Sequence, residues 1–324
     1  MAVYTEVSDD DLASFLSRYE VGELLSYKGI AEGVENTNYI VHTTTGPYIL
    51  TLYEKRVSAD DLPFFLGLME HLAARQVTCP TPVRDRTGNH LGELCGRAAA
   101  LVTFLEGFWI RRPKPEHCSK VGHALAQLHQ AGADFKLTRR NALSTWDWRP
   151  LFERFASEAD SIAPGLEALI KAELDVLETD WPLALPEGVI HADLFPDNVF
   201  FLAKDVSGLI DFYFACNDAL AYDIAICLNA WCFEQDFSFN VTKARALLRG
   251  YEEVRSLTED ERKAMPLLAR GAALRFLLTR CYDWLNRPAG AVVNPHDPID
   301  YLRRLRFHQS VRSIADYGYG DGSR

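Results

Sequence analysis

Strand-like patterning is concentrated in the first third of this chain, and that asymmetry constrains the fold more than any other feature of the sequence. After a short polar helix around 8–18, residues 21–53 read as strands. Tyr39 to Thr43 and Tyr48 to Tyr53 are β-branched and aromatic runs, and Thr44-Thr45-Gly46-Pro47 between them is a hairpin signal. Ser58 and Asp61 resemble a capping box that opens a helix, on which Phe65, Leu68, Met69 and Leu72 share one face. Pro80-Thr81-Pro82 breaks that unit, and residues 83–105 return to strands around an Asp85-Arg86-Thr87-Gly88 turn. From Ser119 the apolar period becomes helical. Val121, Leu125 and Leu128 share a face there, and Gly132 suits its C-terminal cap. Strand-like residues recur only at Val189-Ile190, Val199 to Leu202 and Leu209-Ile210. The pattern predicts an α+β protein of two lobes: a strand-rich one with a single helix over 1–106 and a mainly helical one over 107–324.

Composition narrows the partners. With 34 Lys+Arg against 45 Asp+Glu, the net charge is −11, which disfavours nucleic acid and anionic lipid surfaces. No apolar run approaches the ~18 residues of a membrane span, and the first residues show no basic segment leading into an apolar one. Seven cysteines, an odd number without a C-x-x-C pair, fit reduced thiols in a cytoplasmic protein rather than disulfides or a structural zinc site.

The chemistry concentrates in His191-Ala192-Asp193-Leu194-Phe195-Pro196-Asp197-Asn198, followed thirteen residues later by Asp211 in Ile210-Asp211-Phe212. Phosphoryl transfer from ATP needs one carboxylate to orient the acceptor hydroxyl and take its proton. It also needs an amide oxygen and a second carboxylate to hold Mg²⁺ against the phosphates. An H-x-D-x-x-x-x-N loop supplies the first carboxylate, Asp193, and the amide, Asn198; the next strand, ending in Asp-Phe, supplies the metal carboxylate, Asp211. A rival assignment takes His191, Asp193 and Asp211 as zinc or iron ligands of a hydrolase, completed by Asp223 and His129, but it leaves Asn198 without a role. As ordinary structural groups, His129 would be a hydrogen-bonded core histidine and Asp223 a carboxylate bonding backbone N–H groups.

These motifs resemble the aminoglycoside phosphotransferase and choline kinase superfamily, whose members share a protein-kinase-like two-lobed fold. The chain departs from true protein kinases: Asp211-Phe212-Tyr213 replaces Asp-Phe-Gly, and no Ala-Pro-Glu follows. The resemblance implies ATP contacts from the loop carrying Gly33, Asn36 and Asn38, and from a hinge around Thr103 and Leu105. A kinase also pairs a strand Lys with a helix Glu. Glu70 is placed for the Glu, while Thr51 stands where the Lys is expected and Lys55 is a nearby cation.

The segments 35–39, 48–54 and 274–283 are similar to the homoserine kinases of this superfamily, in which Thr51 in place of Lys is also seen. That likeness runs from about residue 3 to 315 and implies transfer of the ATP γ-phosphoryl group to L-homoserine for threonine synthesis. A zwitterionic acceptor requires a cation for its carboxylate and an acceptor for its ammonium. Arg275 and Arg280 are candidates for the first, Asp218 and Asp283 for the second. Choline would need an aromatic cage, for which Trp231, Tyr282 and Trp284 are available. An aminoglycoside acceptor, or a nucleotide-binding pseudokinase without transfer, are the remaining alternatives.

Overall fold

The computed structural model describes residues 4–30, 36–54, 58–287 and 295–320. Helix α1 (Asp9–Leu16) begins where Ser8 accepts the N–H of Asp11, with Asp9, Asp10 and Asp11 complementing the positive end of the helix dipole. Strands β1 (Leu24–Gly29), β2 (Thr37–Thr43), β3 (Gly46–Leu52), β4 (Gly92–Leu94) and β5 (Arg97–Thr103) form one antiparallel sheet ordered β1-β2-β3-β5-β4. The expected hairpin is the β2–β3 pair, in register from Thr37 opposite Leu52 to Thr43 opposite Gly46. The Asp85 turn is also present: its carboxylate accepts the N–H groups of Thr87 and Asn89, and Gly88 takes a φ of +87°.

Helix α2 (Leu62–Ala74) follows a short 3₁₀ turn that Ser58 caps by accepting the N–H of Asp60. The expected box does not close. Asp61 instead pairs with Arg139, Nε to Oδ2, at 2.8 Å. The predicted face of α2 is buried, including Phe65, Leu68, Met69 and Leu72.

Two apolar clusters result, and β5 divides them because successive strand residues point to opposite faces. Ala99 and Leu101 join Leu12, Phe15 and Leu16 of α1 and Val41 and Leu50 of the hairpin. Ala100 and Val102 join the α2 face in a second cluster that runs on through the helical part of the chain.

That helical part contains α3 (Pro115–Ala131), α4 (Thr145–Glu153), α5 (Leu166–Asp180), then two small strand pairs, then α6 (Leu220–Trp231), α7 (Val241–Glu252), α8 (Glu259–Leu285) and α9 (Ile299–Ser310). Helix α3 starts earlier than its apolar period suggested, with a proline in its first turn where a missing N–H costs nothing. Helices α3 and α7 approach at Gly122 and Gly250. A Cβ on either would lie within 2.0 Å of a carbonyl oxygen, Leu247 O for Gly122 and Ser119 O for Gly250, so only glycine permits this spacing.

The strand pairs are β6 (Glu187–Ile190) with β9 (Cys216–Ala219), and β7 (Val199–Leu202) with β8 (Asp205–Leu209). Residues 103–108 leave the sheet and reach β7, where Phe108 and Phe201 exchange backbone hydrogen bonds of 3.0 and 3.1 Å. Among the described residues no helix is long and apolar enough to cross a membrane, and no cysteine is in a disulfide.

Candidate active site

Strand β6 ends at Ile190, and the chain then turns sharply. Ala192 has a φ of +62°, a left-handed conformation costly for any residue with a Cβ. Three contacts hold it there. Asp223, in the first turn of α6, accepts the N–H of His191 on Oδ2 at 2.7 Å and that of Ala192 on Oδ1 at 2.9 Å. Arg275 of α8 donates from Nη1 to the Ala192 carbonyl. The His191 ring sits 2.9 Å from Ile210 O through Nε2, while Nδ1 accepts the N–H of Asp193 at 3.3 Å. Burial pushes the His191 pKa down, which keeps this ring neutral with its proton on the Ile210 side.

Asp223 is itself supported from behind. His129 Nε2 lies 3.2 Å from Asp223 Oδ2, and His129 Nδ1 lies 2.7 Å from the Tyr251 hydroxyl of α7. Burial alone would raise the Asp223 carboxyl, but His129 and, after it, His191 with its backbone N–H outweigh it and hold the pKa below the usual carboxylate value. Asp223 and His129 are therefore the structural groups expected, not metal ligands. Among the described residues no set of three or more His, Cys, Asp or Glu could hold a metal, as the zinc or iron hydrolase would require.

The turn delivers Asp193, and a 3₁₀ turn at Pro196–Asn198 delivers Asn198 to its side. Asn198 Nδ2 donates to Asp193 O at 2.8 Å and reaches Asp193 Oδ2 at 3.3 Å. The Asn198 carbonyl accepts the N–H of Ile210 at 3.0 Å, which places Asp211 next to the same loop. Asp211 is exposed and also left-handed, at φ 62° and ψ 67°. The structure thus sets Asn198 against Asp193 and brings the backbone at Asp211 beside the same loop. With its nitrogen turned to Asp193, Asn198 has its amide oxygen at the opposite edge. An amide oxygen and a carboxylate are hard donors of the kind that would suit Mg²⁺, which needs only one or two carboxylates beside phosphate oxygens.

The other predicted residues are distributed differently. Gly33 and Lys55 lie outside the described residues. Asn36 and Asn38 direct their amide oxygens into the sheet, accepting from Glu54 N at 3.3 Å and Thr51 Oγ1 at 2.7 Å. Glu70 meets Arg84 in a two-point contact of 2.9 and 2.7 Å and His90 at 3.2 Å, rather than a strand cation, because Thr51 carries no charge to pair with it. Arg84, first in this contact, lowers the Glu70 pKa.

Thr103 anchors the start of the interlobe segment through a 2.9 Å bond from Thr81 N, and Leu105 is half-buried next to Gly208. Arg280 donates to Asp297 O and Asp300 at 3.3 and 3.4 Å and stacks on Tyr301. Asp218 accepts from Asn141 Nδ2 at 2.7 Å, and burial raises its pKa. Asp283 is exposed near the end of α8.

Sequence reasoning missed the segment 139–143. It docks onto β9 through Asn217 N to Arg139 O at 2.7 Å and Arg139 N to Asn217 Oδ1 at 2.9 Å. With Asp61, Phe65, Tyr213, Phe214 and Arg275, it lines an open cavity of about 180 Å³.

The class follows from comparison with known proteins. Residues 26–257 match the phosphotransferase enzyme family, and the chain belongs to that family. The chain is 65% identical over 318 residues to a homoserine kinase of Nitrobacter winogradskyi, covering 98% of each chain. It is 65% identical over 319 residues to a homoserine kinase of Bradyrhizobium diazoefficiens, again covering 98% of each. Within the family it groups with the homoserine kinases.

Solved structures share the fold at low identity. An amicoumacin kinase determined with AMP-PNP and Ca²⁺ aligns over 93% of this chain and 92% of its own, with a TM-score of 0.69 and 14% identity. A choline kinase of Cryptosporidium parvum aligns over 96% and 97%, with a TM-score of 0.66 and 15% identity. The architecture is therefore the kinase-like α+β fold expected from the sequence.

Proposed function

We propose that the protein transfers the γ-phosphoryl group of ATP to the side-chain hydroxyl of L-homoserine, giving O-phospho-L-homoserine and ADP. The observation that carries the chemistry is the Asp193–Asn198 contact on a turn held by Asp223, supported by full-length similarity to homoserine kinases. Asp193 orients the acceptor hydroxyl and takes its proton as the oxygen bonds to phosphorus and the bond to the ADP oxygen breaks. Asn198 fixes that carboxylate from one side. Mg²⁺ bound by Asn198 Oδ1 and Asp211 would neutralise phosphate charge in the transition state. ATP is assigned to the small lobe up to residue 106, through the 29–38 loop with Gly33, Asn36 and Asn38, the Lys55 region, and the segment at Thr103 and Leu105. This is chemistry suited to the cytoplasm.

ADP release, measured with homoserine, choline, a hydroxylated aminoglycoside or no acceptor, tests the assignment. Release is expected with homoserine alone. Equal rates without acceptor, or none with any, would overturn it. Asp193→Asn should lower kcat by roughly 10²–10⁴ with the KM for ATP little changed. Asp211→Ala should abolish Mg²⁺-dependent turnover.

A further inference from the structure

Arg275 is 2% exposed, and the carboxylate that acts on it electrostatically, Asp218, is already engaged by Asn141 Nδ2 and the Ala219 N–H. Its Nη1 serves Ala192 O, its guanidinium lies 4.3 Å from the Phe276 ring centre and 5.6 Å from that of Phe214, and its Nε is buried without a hydrogen-bond partner. A guanidinium so placed is costly unless an anion completes it, because burying a charge forfeits its hydration.

Arg275 is also part of the wall of the 180 Å³ cavity between the start of α2, the 139–143 segment and Tyr213-Phe214. A second guanidinium, Arg139, lines the same space. Arg139 uses Nε on Asp61 and Nη1 on Ala215 O at 3.2 Å, two of its five donors. Two cations against one carboxylate make this lining net positive in a protein of net charge −11. The volume is below the roughly 300–1,000 Å³ typical of drug-sized ligands, so it suits a small anionic group rather than an oligosaccharide.

We propose that this cavity receives the α-carboxylate of the acceptor amino acid, with Arg275 and Arg139 as its receptors. The assignment rests on the homoserine reading and adds the means of recognition. Because Arg275 also grips Ala192, the residue before Asp193, a carboxylate held there fixes the distance from the acceptor hydroxyl to the base. The acceptor is then selected by its acid group and not by its amine alone.

The test compares homoserine with 3-amino-1-propanol, the same chain without the carboxylate, by ADP release. Wild type should prefer homoserine in kcat/KM by about 10²-fold or more, since an acceptor lacking the anion forfeits its contacts to both guanidinium groups. Arg139→Met should cut that preference about tenfold or more by lowering only the homoserine value. Arg275→Met should do the same where it folds, and Arg139→Met alone decides the matter where it does not.

An Arg139→Met enzyme that keeps the full preference overturns the proposal. So does one that loses both acceptors equally, which marks a structural role, or one whose loss lies in the KM for ATP, which marks a phosphate subsite. A wild-type enzyme inactive with homoserine overturns the acceptor reading and this proposal with it. An active wild type with an indifferent variant overturns the cavity assignment alone.

Discussion

Thr51 donates its hydroxyl proton to Asn38 Oδ1 across 2.7 Å, and the two residues sit directly opposite each other in the β2–β3 register. A cross-strand pair of small polar groups thus fills the place where a kinase strand usually presents a lysine. Thr51 is 3% exposed, so the site is built for a neutral side chain. Thr51→Lys should therefore not improve the enzyme. It should lower the melting temperature, because the ammonium would be buried without a carboxylate in place. Thr51→Val should cost about 1 kcal/mol in urea unfolding, the value of one lost hydrogen bond. A Thr51→Lys enzyme of unchanged stability and higher kcat/KM for ATP would contradict this account.

Asp223→Asn tests the support of the turn that carries Asp193. The amide cannot accept both the His191 and Ala192 N–H groups and also meet His129 as the carboxylate does. A buried donor left unsatisfied costs about 1–3 kcal/mol, and the left-handed turn at Ala192 loses part of what holds it. The expected result is a lower kcat with the KM for ATP nearly unchanged, accompanied by a lower unfolding midpoint.

Gly122→Ala and Gly250→Ala probe the contact of α3 with α7. A methyl group at Gly122 would lie 2.0 Å from Leu247 O, and one at Gly250 would lie 1.9 Å from Ser119 O, so the backbones themselves must separate. Each substitution should destabilise the protein by about 3 kcal/mol or more, although alanine is the better helix former in isolation. Thermal unfolding of both variants checks this. A stabilised Gly122→Ala protein would show that the helices do not pack at this distance.

Acid sensitivity should come partly from buried neutral histidines. His308 is enclosed between the Tyr317 hydroxyl at 2.7 Å and Asn229 Oδ1 at 3.2 Å, and burial together with Arg304 pushes its pKa down to about 3. In the unfolded chain a histidine titrates near 6.5. Between these values the unfolded chain binds the extra proton, so stability falls as pH is lowered from about 6.5 towards 3. The slope contributed by His308 is about 1.4 kcal/mol per pH unit. His191, also lowered by burial, adds to the loss in the upper part of that window. Urea unfolding at several pH values should show a shallower acid dependence for His308→Gln than for wild type, and parallel slopes would count against this assignment.

Local signals in the sequence carried the hairpin, the Asp85 turn, the buried face of α2 and the closeness of Asp193 to Asn198. In each, the chemistry and the conformation depend on neighbours close in sequence. Strand β9 was not legible because Cys216-Asn217-Asp218-Ala219 has neither alternation nor β-branched residues. Its extended form comes from pairing with β6 some thirty residues away. The 139–143 segment has no periodicity either, and its place in the cavity follows from bonds to Asn217 and Asp61 that no spacing encodes. Glu70 was misdirected for a related reason: Arg84 lies beyond the Pro80-Thr81-Pro82 break, and only the fold brings its guanidinium to that carboxylate.

The alternation of β5 decides what can be transplanted from this enzyme. Ala99 and Leu101 belong with α1, while Ala100 and Val102 belong with α2 and the helices beyond residue 115. Cutting at residue 106 would strip α2 of the surface that buries Phe65, Leu68 and Leu72. The portable module is therefore the sheet with α1 on its back, stitched into a host that already supplies an α2 and its bed. A chimera that moves the first hundred residues as one cassette would carry half of another core with it.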